Sequence, residues 1–396
     1  MPACNTNIKQ YGLNLVFVTL TSILVGCTKN SVQMQMHSLE NQLQVLPQTD
    51  NVAISALVQK PAFAVLLLHG LMANSDELQP IAAKTFARFG DSVLIMQPKC
   101  RAGYTSVRQS TKDQAENVFN YIKSNLTACN KKAGSFPLII IGYSHGGVLA
   151  CILGNNYRNK LNIFGIITLN APLMGTPVLE RNFTDVQEFI SHAQEGFQLI
   201  DCPRPLSKIQ RNMGICARAL TWIHWIPCVR GLKDIFPKST CVDEVNNFVR
   251  HDANEIRFLL IGSHQNDFGK IFNLDPNIPE YNSAIKKLNN AYAQFVTGKN
   301  GGHHDTLIPL RSQLCRGESF SELSTIIDTS DNDPIIMAMP SQPNIKGHIY
   351  RDITHAGNLI VIDTDLFVNN GETALYSNRI LNDLIKFMEE QVQGLV

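Results

Sequence analysis

From residue 62 onward, apolar residues gather in short unbroken runs separated by more polar stretches. The runs cover residues 64–68, 92–96, 137–141, 163–169 and 257–261. A strand sends alternate side chains to opposite faces, so a run without polar interruption suits a strand buried on both. Residues 112–124 instead place apolar side chains at helical spacing and predict an amphipathic helix. Strand–helix alternation predicts a doubly wound, mostly parallel α/β sheet. The runs end in turn residues: His69-Gly70, Gln97-Pro98, a glycine-rich turn from Gly142, Asn170-Ala171-Pro172 and Gly262-Ser263. In open α/β sheets the chemistry collects at these carboxyl ends. Residues 173–250 break the rhythm. They lack clear strand runs, hold Trp222 and Trp225, and predict a helical, lid-like insertion over the strand ends.

A different pattern opens the chain. Residues 13–25 are largely apolar, and Lys9 is the only formal charge in residues 1–26. The stretch is short for a spanning helix, which needs about 20 residues. It has the length of a secretory signal core. Leu24-Val25-Gly26-Cys27 resembles the lipobox of bacterial lipoproteins. The resemblance implies a signal peptide over 1–26, a lipid anchor on Cys27 and a polar tether through residue 60. Thr28, where Asp would imply retention in the inner membrane, implies the outer membrane. An ordinary cleaved signal or an N-terminal anchor helix is the alternative. Residues 61–396 then form the folded domain.

Composition narrows the classes. A chain that is 44% hydrophobic and 17% charged is not disordered throughout. A net charge of +1 argues against a nucleic-acid partner. Cleavage after residue 26 would remove Lys9 and leave acidic and basic residues equal in number. Of ten cysteines, Cys4 would leave with the signal and Cys27 would carry lipid. Cys100, Cys129, Cys151, Cys202, Cys216, Cys228, Cys241 and Cys315 remain, as disulfides in an oxidising compartment or as buried thiols. No Cys-x2-Cys spacing points to structural zinc.

The third run is followed by Gly142-Tyr143-Ser144-His145-Gly146-Gly147 and then an apolar helical stretch. Gly-x-Ser-x-Gly in a strand–turn–helix context forces the serine into a tight, exposed turn where only small residues fit on either side. Ser144 is the candidate nucleophile. Such a serine needs a base, and the base needs an orienting group. His355, in Asp352-Ile353-Thr354-His355-Ala356-Gly357 ahead of a final helix, is the candidate base, with His348 as its rival. Asp305, in His303-His304-Asp305-Thr306-Leu307-Ile308-Pro309, is the candidate acid, and Asp267 is the alternative. The backbone amides of Leu71 and His145 are the candidate oxyanion donors. Adjacent histidines on a short loop rarely point the same way, so no metal is expected at His303-His304. The chemistry needs no cofactor.

These motifs resemble bacterial lipases and carboxylesterases of the α/β-hydrolase superfamily. His69-Gly70-Leu71 is similar to their oxyanion loop, and residues 142–147 to their nucleophile elbow. Residues 170–177, Asn-Ala-Pro-Leu-Met-Gly-Thr-Pro, resemble a segment of lipases and of phospholipid and inositol deacylases. Asp305-Thr306-Leu307-Ile308-Pro309 resembles the acid loop. The resemblance implies an α/β-hydrolase fold and hydrolysis of carboxylic, lipid-like esters through an acyl-enzyme on Ser144. A thioesterase or acyltransferase on the same fold, or a non-enzymatic surface lipoprotein, is the alternative reading.

Overall fold

The computed structural model describes residues 61–199, 229–253, 255–271, 277–316, 320–338, 342–355 and 372–395. The expected signal peptide, Cys27, the tether, Trp222, Trp225, Cys202, Cys216 and Cys228 lie outside the described residues.

Seven strands form one sheet: β1 (Phe63–Leu68), β2 (Val93–Met96), β3 (Pro137–Tyr143), β4 (Asn162–Leu169), β5 (Arg257–His264), β6 (Ile335–Ala338) and β7 (Ile345–Arg351). Their order is β2-β1-β3-β4-β5-β7-β6. Every neighbouring pair is parallel except β6–β7. The seven helices that matter here are α1 (Gln79–Phe89), α2 (Thr111–Ala128), α3 (His145–Tyr157), α4 (Phe183–Leu199), α5 (Thr240–Asn247), α6 (Pro279–Thr297) and α7 (Asn378–Val392). This is the α/β-hydrolase fold.

The unbroken runs are explained by two cores, one on each face. Ala64, Leu66 and Leu68 of β1 pack with α2, α3, α5 and α6, whereas Phe63, Val65 and Leu67 pack with α1 and α7. Burying both faces of a strand removes apolar area from water at about 25 cal/mol per Å² on each side. β1 accordingly carries no polar residue from Phe63 to Leu68.

Two strands fall outside the predicted runs. β6 lies at the sheet edge, and its Ile336 is 68% exposed. β7 mixes Lys346 and His348 with apolar residues. Neither reads as a two-face apolar run. Over residues 173–250 the described parts are helical and contain no strand. Val229, Leu232, Ile235, Cys241 and Val245 join the larger core there. Cys100, Cys129, Cys151, Cys241 and Cys315 are free thiols. Among the described residues no helix is long and apolar enough to cross a membrane.

The register sets the strand ends in a row. Leu68 of β1 stands beside Gly142 of β3, Tyr143 beside Leu169 of β4, and Leu169 beside Ile261 of β5. Each chain segment that leaves this row carries one part of the candidate site.

Candidate active site

Ser144 joins β3 to α3 with φ 53° and ψ −127°. A non-glycine residue in such a conformation costs on the order of 1–3 kcal/mol and persists only when its surroundings hold it. Here the Ser144 N–H donates to Leu169 C=O and the Gly147 N–H to Ser144 C=O, both at 2.9 Å. The flanking glycines are steric necessities. A Cβ on Gly142 would stand 2.2 Å from the Gly146 oxygen, and one on Gly146 would stand 2.0 Å from the Leu68 oxygen.

His355 follows β7 through the short strand Ile353–Thr354. Its Nε2 lies 3.1 Å from Ser144 Oγ, and its Nδ1 lies 2.8 Å from Asp305 Oδ2. An ionised carboxylate can only accept, so Nδ1 carries the proton and Nε2 offers its lone pair to the serine hydroxyl. The ring is fixed from other directions as well. The His355 N–H donates to Asp305 C=O at 2.6 Å, and Tyr143 O–H donates to His355 C=O. The Tyr143 ring stacks on the imidazole with centroids 5.1 Å apart.

Asp305 is fully buried. A buried carboxylate is costly unless hydrogen bonds replace its water. Four donors do so. Besides His355 Nδ1, Oδ2 accepts from Asn170 Nδ2 at 2.8 Å. Oδ1 accepts from the Leu307 and Ile308 amides at 3.1 and 2.7 Å. The Asp-x-x-x-Pro spacing makes this turn, because the carboxylate caps amides two and three residues on.

The rivals stand elsewhere. Asp267 Oδ1 accepts from the Gly269 amide at 2.8 Å and from Asn289 Nδ2 of α6 at 3.4 Å. His348 pairs with Asp383 of α7, which also accepts from Tyr350 O–H at 2.7 Å. His304 is fully buried, and its Nδ1 accepts from the Thr306 amide at 3.0 Å. Among the described residues no group of His, Cys, Asp and Glu is arranged to hold a metal ion.

The two expected oxyanion donors flank Ser144. His145 is the first residue of α3, where helical N–H groups point outward with partial positive charge. Gly70 passes so near the serine that a Cβ there would stand 3.3 Å from Ser144 Cβ. Gly70 N–H donates to Glu77 Oε2 and Met72 N–H to Ser106 Oγ, both at 2.8 Å. Among the described residues neither the Leu71 nor the His145 amide has an acceptor.

The side chains of His69 and His145 turn away from this opening. The fully buried Arg101 ties them together. Its Nη1 donates to His69 C=O, its Nη2 lies 3.0 Å from His145 Nδ1, and its Nε donates to Gln114 Oε1 at 3.2 Å. His145 Nε2 lies 3.0 Å from Thr111 Oγ1. Burial, reinforced by Arg101, lowers the His69 pKa to about 3 and holds His145 well below the usual histidine value. Both rings are therefore neutral. Burial also lowers Arg101 to about 10, so it stays a cation. The sequence carried no sign of Arg101, which lies in an ordinary turn, or of Glu77, which lies in the one-turn helix Ser75–Leu78. Asn170 and Tyr143 lay inside quoted motifs, without a role that spacing could assign.

Comparison with known proteins covers part of this site. Residues 59–198 match the family model "Putative serine esterase (DUF676)", about a third of the chain. That span includes Leu71, Ser144 and His145, and ends before Asp305 and His355. No curated protein matches the chain. Among solved structures, an extracellular α/β-hydrolase from a Paenibacillus species is 19% identical with TM-score 0.23, over 30% of this chain and 46% of that one. The chain thus spans less than half the length of that relative. The lin2722 product of Listeria innocua is 10% identical with TM-score 0.37, over 83% and 94% of the two chains. A carboxylesterase structure from Nitrososphaera gargenis is 11% identical with TM-score 0.34, over 86% and 93%. The chain has an α/β-hydrolase fold, and its residues 59–198 are similar to a serine esterase family.

Proposed function

We propose that this protein is a serine hydrolase that cleaves carboxylic esters through an acyl-enzyme on Ser144. The observation that carries the reading is the unbroken chain Ser144 Oγ, His355 Nε2, His355 Nδ1, Asp305 Oδ2, with links of 3.1 and 2.8 Å. In this reading Nε2 takes the hydroxyl proton as Oγ attacks the ester carbonyl carbon. The carbonyl oxygen becomes an oxyanion and receives the Leu71 and His145 N–H groups. A donor aimed at that developing charge contributes on the order of 10²–10³ in rate. The imidazolium, stabilised by Asp305, protonates the departing alcohol. His355 then deprotonates a water, which attacks the acyl carbon, and Ser144 Oγ recovers its proton as the acid leaves.

The substrate in this proposal is a lipid-like ester, met at a bacterial membrane. Leu24-Val25-Gly26-Cys27 supports a lipid anchor on Cys27, and Thr28 supports the outer membrane, facing the periplasm or the surface. The test has two parts. A fluorophosphonate probe labels the wild type and fails on Ser144→Ala; an unlabelled wild type overturns the reading. Hydrolysis of p-nitrophenyl esters of increasing chain length, of phospholipids and of acyl-thioesters then fixes the class. Preference for acyl-thioesters over every ester would replace the esterase reading with a thioesterase.

A further inference from the structure

Glu77 stands beside Ser144 without belonging to the Ser144–His355–Asp305 chain. It lies in the one-turn helix Ser75–Leu78 and is half-buried. Its Oε2 accepts the Gly70 N–H at 2.8 Å. A Cβ on Gly70 would stand 3.5 Å from that oxygen and 3.7 Å from Ser144 Oγ, so carboxylate and hydroxyl share one small space. The following peptide is held from its other side, where His69 Nδ1 donates to Gly70 C=O at 2.8 Å. In a trans peptide the N–H points opposite to the C=O. The unit that offers Gly70 C=O to His69 therefore directs the Leu71 N–H the other way. Glu77 and His69 together fix the orientation of one expected oxyanion donor.

We propose that Glu77 is a positioning residue for the oxyanion loop: its Oε2 holds the Gly70 N–H so that the next amide, that of Leu71, is presented beside Ser144 Oγ. The proposal rests on the reading of Ser144 as nucleophile and Leu71 as oxyanion donor. The groups that feel the Glu77 charge are His355 beyond β7, Arg101 beyond β2 and Tyr376 ahead of α7. Burial pushes the Glu77 carboxyl up to about 7, against the opposing pull of the Gly70 amide, His355 and Arg101. A carboxyl oxygen accepts from the Gly70 N–H in either protonation state, so this hold on the loop does not depend on the Glu77 charge. Removing the charge while keeping an acceptor should therefore leave the donor in place, whereas removing the acceptor should misalign it.

Two variants of the full chain separate the roles. Glu77→Gln keeps an oxygen for the Gly70 N–H and is expected to retain kcat within about threefold of the wild type. Glu77→Ala loses the acceptor and is expected to lower kcat about 10–100-fold with little change in KM, because the misaligned donor acts only in the transition state. Labelling by a fluorophosphonate, whose adduct mimics the oxyanion, should slow in parallel. A wild-type rate in Glu77→Ala, or a loss in Glu77→Gln as large as in Glu77→Ala, overturns the proposal while leaving Ser144 intact. If Glu77→Ala does not fold, Glu77→Leu, of similar size and without an oxygen, takes its place with the same expected loss. A wild type that is neither labelled nor active on esters overturns the Ser144 reading and the Glu77 proposal together.

Discussion

Asn170 Nδ2 donates to Asp305 Oδ2 at 2.8 Å, on the same carboxylate oxygen that faces His355 Nδ1. The amide also donates to Ser263 Oγ, and its residue sits directly after β4 with φ 46°. A hydrogen bond to a charged group contributes about 1.5–3 kcal/mol. Asn170→Gly removes the amide and tolerates the positive φ. It is expected to lower kcat/KM about 10–100-fold, since 1.4 kcal/mol is a factor of ten. Steady-state ester hydrolysis checks this. An unchanged rate would mean that the backbone amides of Leu307 and Ile308 hold Asp305 by themselves.

Asp305 and Asp267 give opposite expectations. Asp305→Asn keeps the shape but presents an amide to His355 Nδ1, favouring the wrong tautomer. A loss of about 10³–10⁴ in kcat is expected. Asp267→Asn keeps an oxygen for the Gly269 amide and is expected to change kcat less than about twofold. Comparable losses in both variants would sink the assignment of Asp305.

Gly146→Ala should damage the fold itself. The new methyl would lie 2.0 Å from the Leu68 oxygen, in backbone that cannot turn aside. Overpacking of this kind costs about 1–3 kcal/mol, occasionally more. A fall in Tm of several degrees is expected in thermal unfolding, at about 2–4 °C per kcal/mol. Gly134→Ala is the control. Its nearest contact would be Lys160 C=O at an ordinary 3.6 Å, and its Tm should hardly move.

Stability should fall in mild acid. Burial is the main cause that lowers His69, His264 and His304 to about 3, with Arg101 adding for His69 and neighbouring histidines for the other two. Each has a buried Nε2 without a partner. In the unfolded chain each returns to about 6.5, so between pH 6.5 and 3 the unfolded state binds more protons. The stability they contribute is complete above about pH 6.5 and is lost as pH falls toward 3. Each group weakens the fold by up to about 1.4 kcal/mol per pH unit in that window. The urea midpoint should drop between pH 7.5 and pH 5, a range above most carboxylate titrations, and His304→Asn should narrow the drop. Equal midpoints at the two pH values would refute it.

The sequence by itself determined what depends on neighbours along the chain. The strands β1 to β5 were legible because burial on both faces disfavours polar residues within a run, Thr168 being a buried exception. The turn at Ser144 was legible because the clashes that exclude side chains at Gly142 and Gly146 arise within two residues of the serine. The Asp305 turn was similarly local, a carboxylate capping amides two and three positions on. Tertiary structure decided the rest. Two carboxylates, Asp267 and Asp305, follow β5, and spacing could not say which one meets His355. Arg101 reaches His145, Asn170 reaches Asp305, and Glu77 shares the space of Ser144, across separations that leave no periodic trace. β6 and β7 also waited for the fold, because an edge strand with a wet face loses the apolar continuity that marks the centre of the sheet. Steric rules act over a few bonds and are written into motif spacing. The partner of a charge is set by distance in space, which exists only once the strands have aligned.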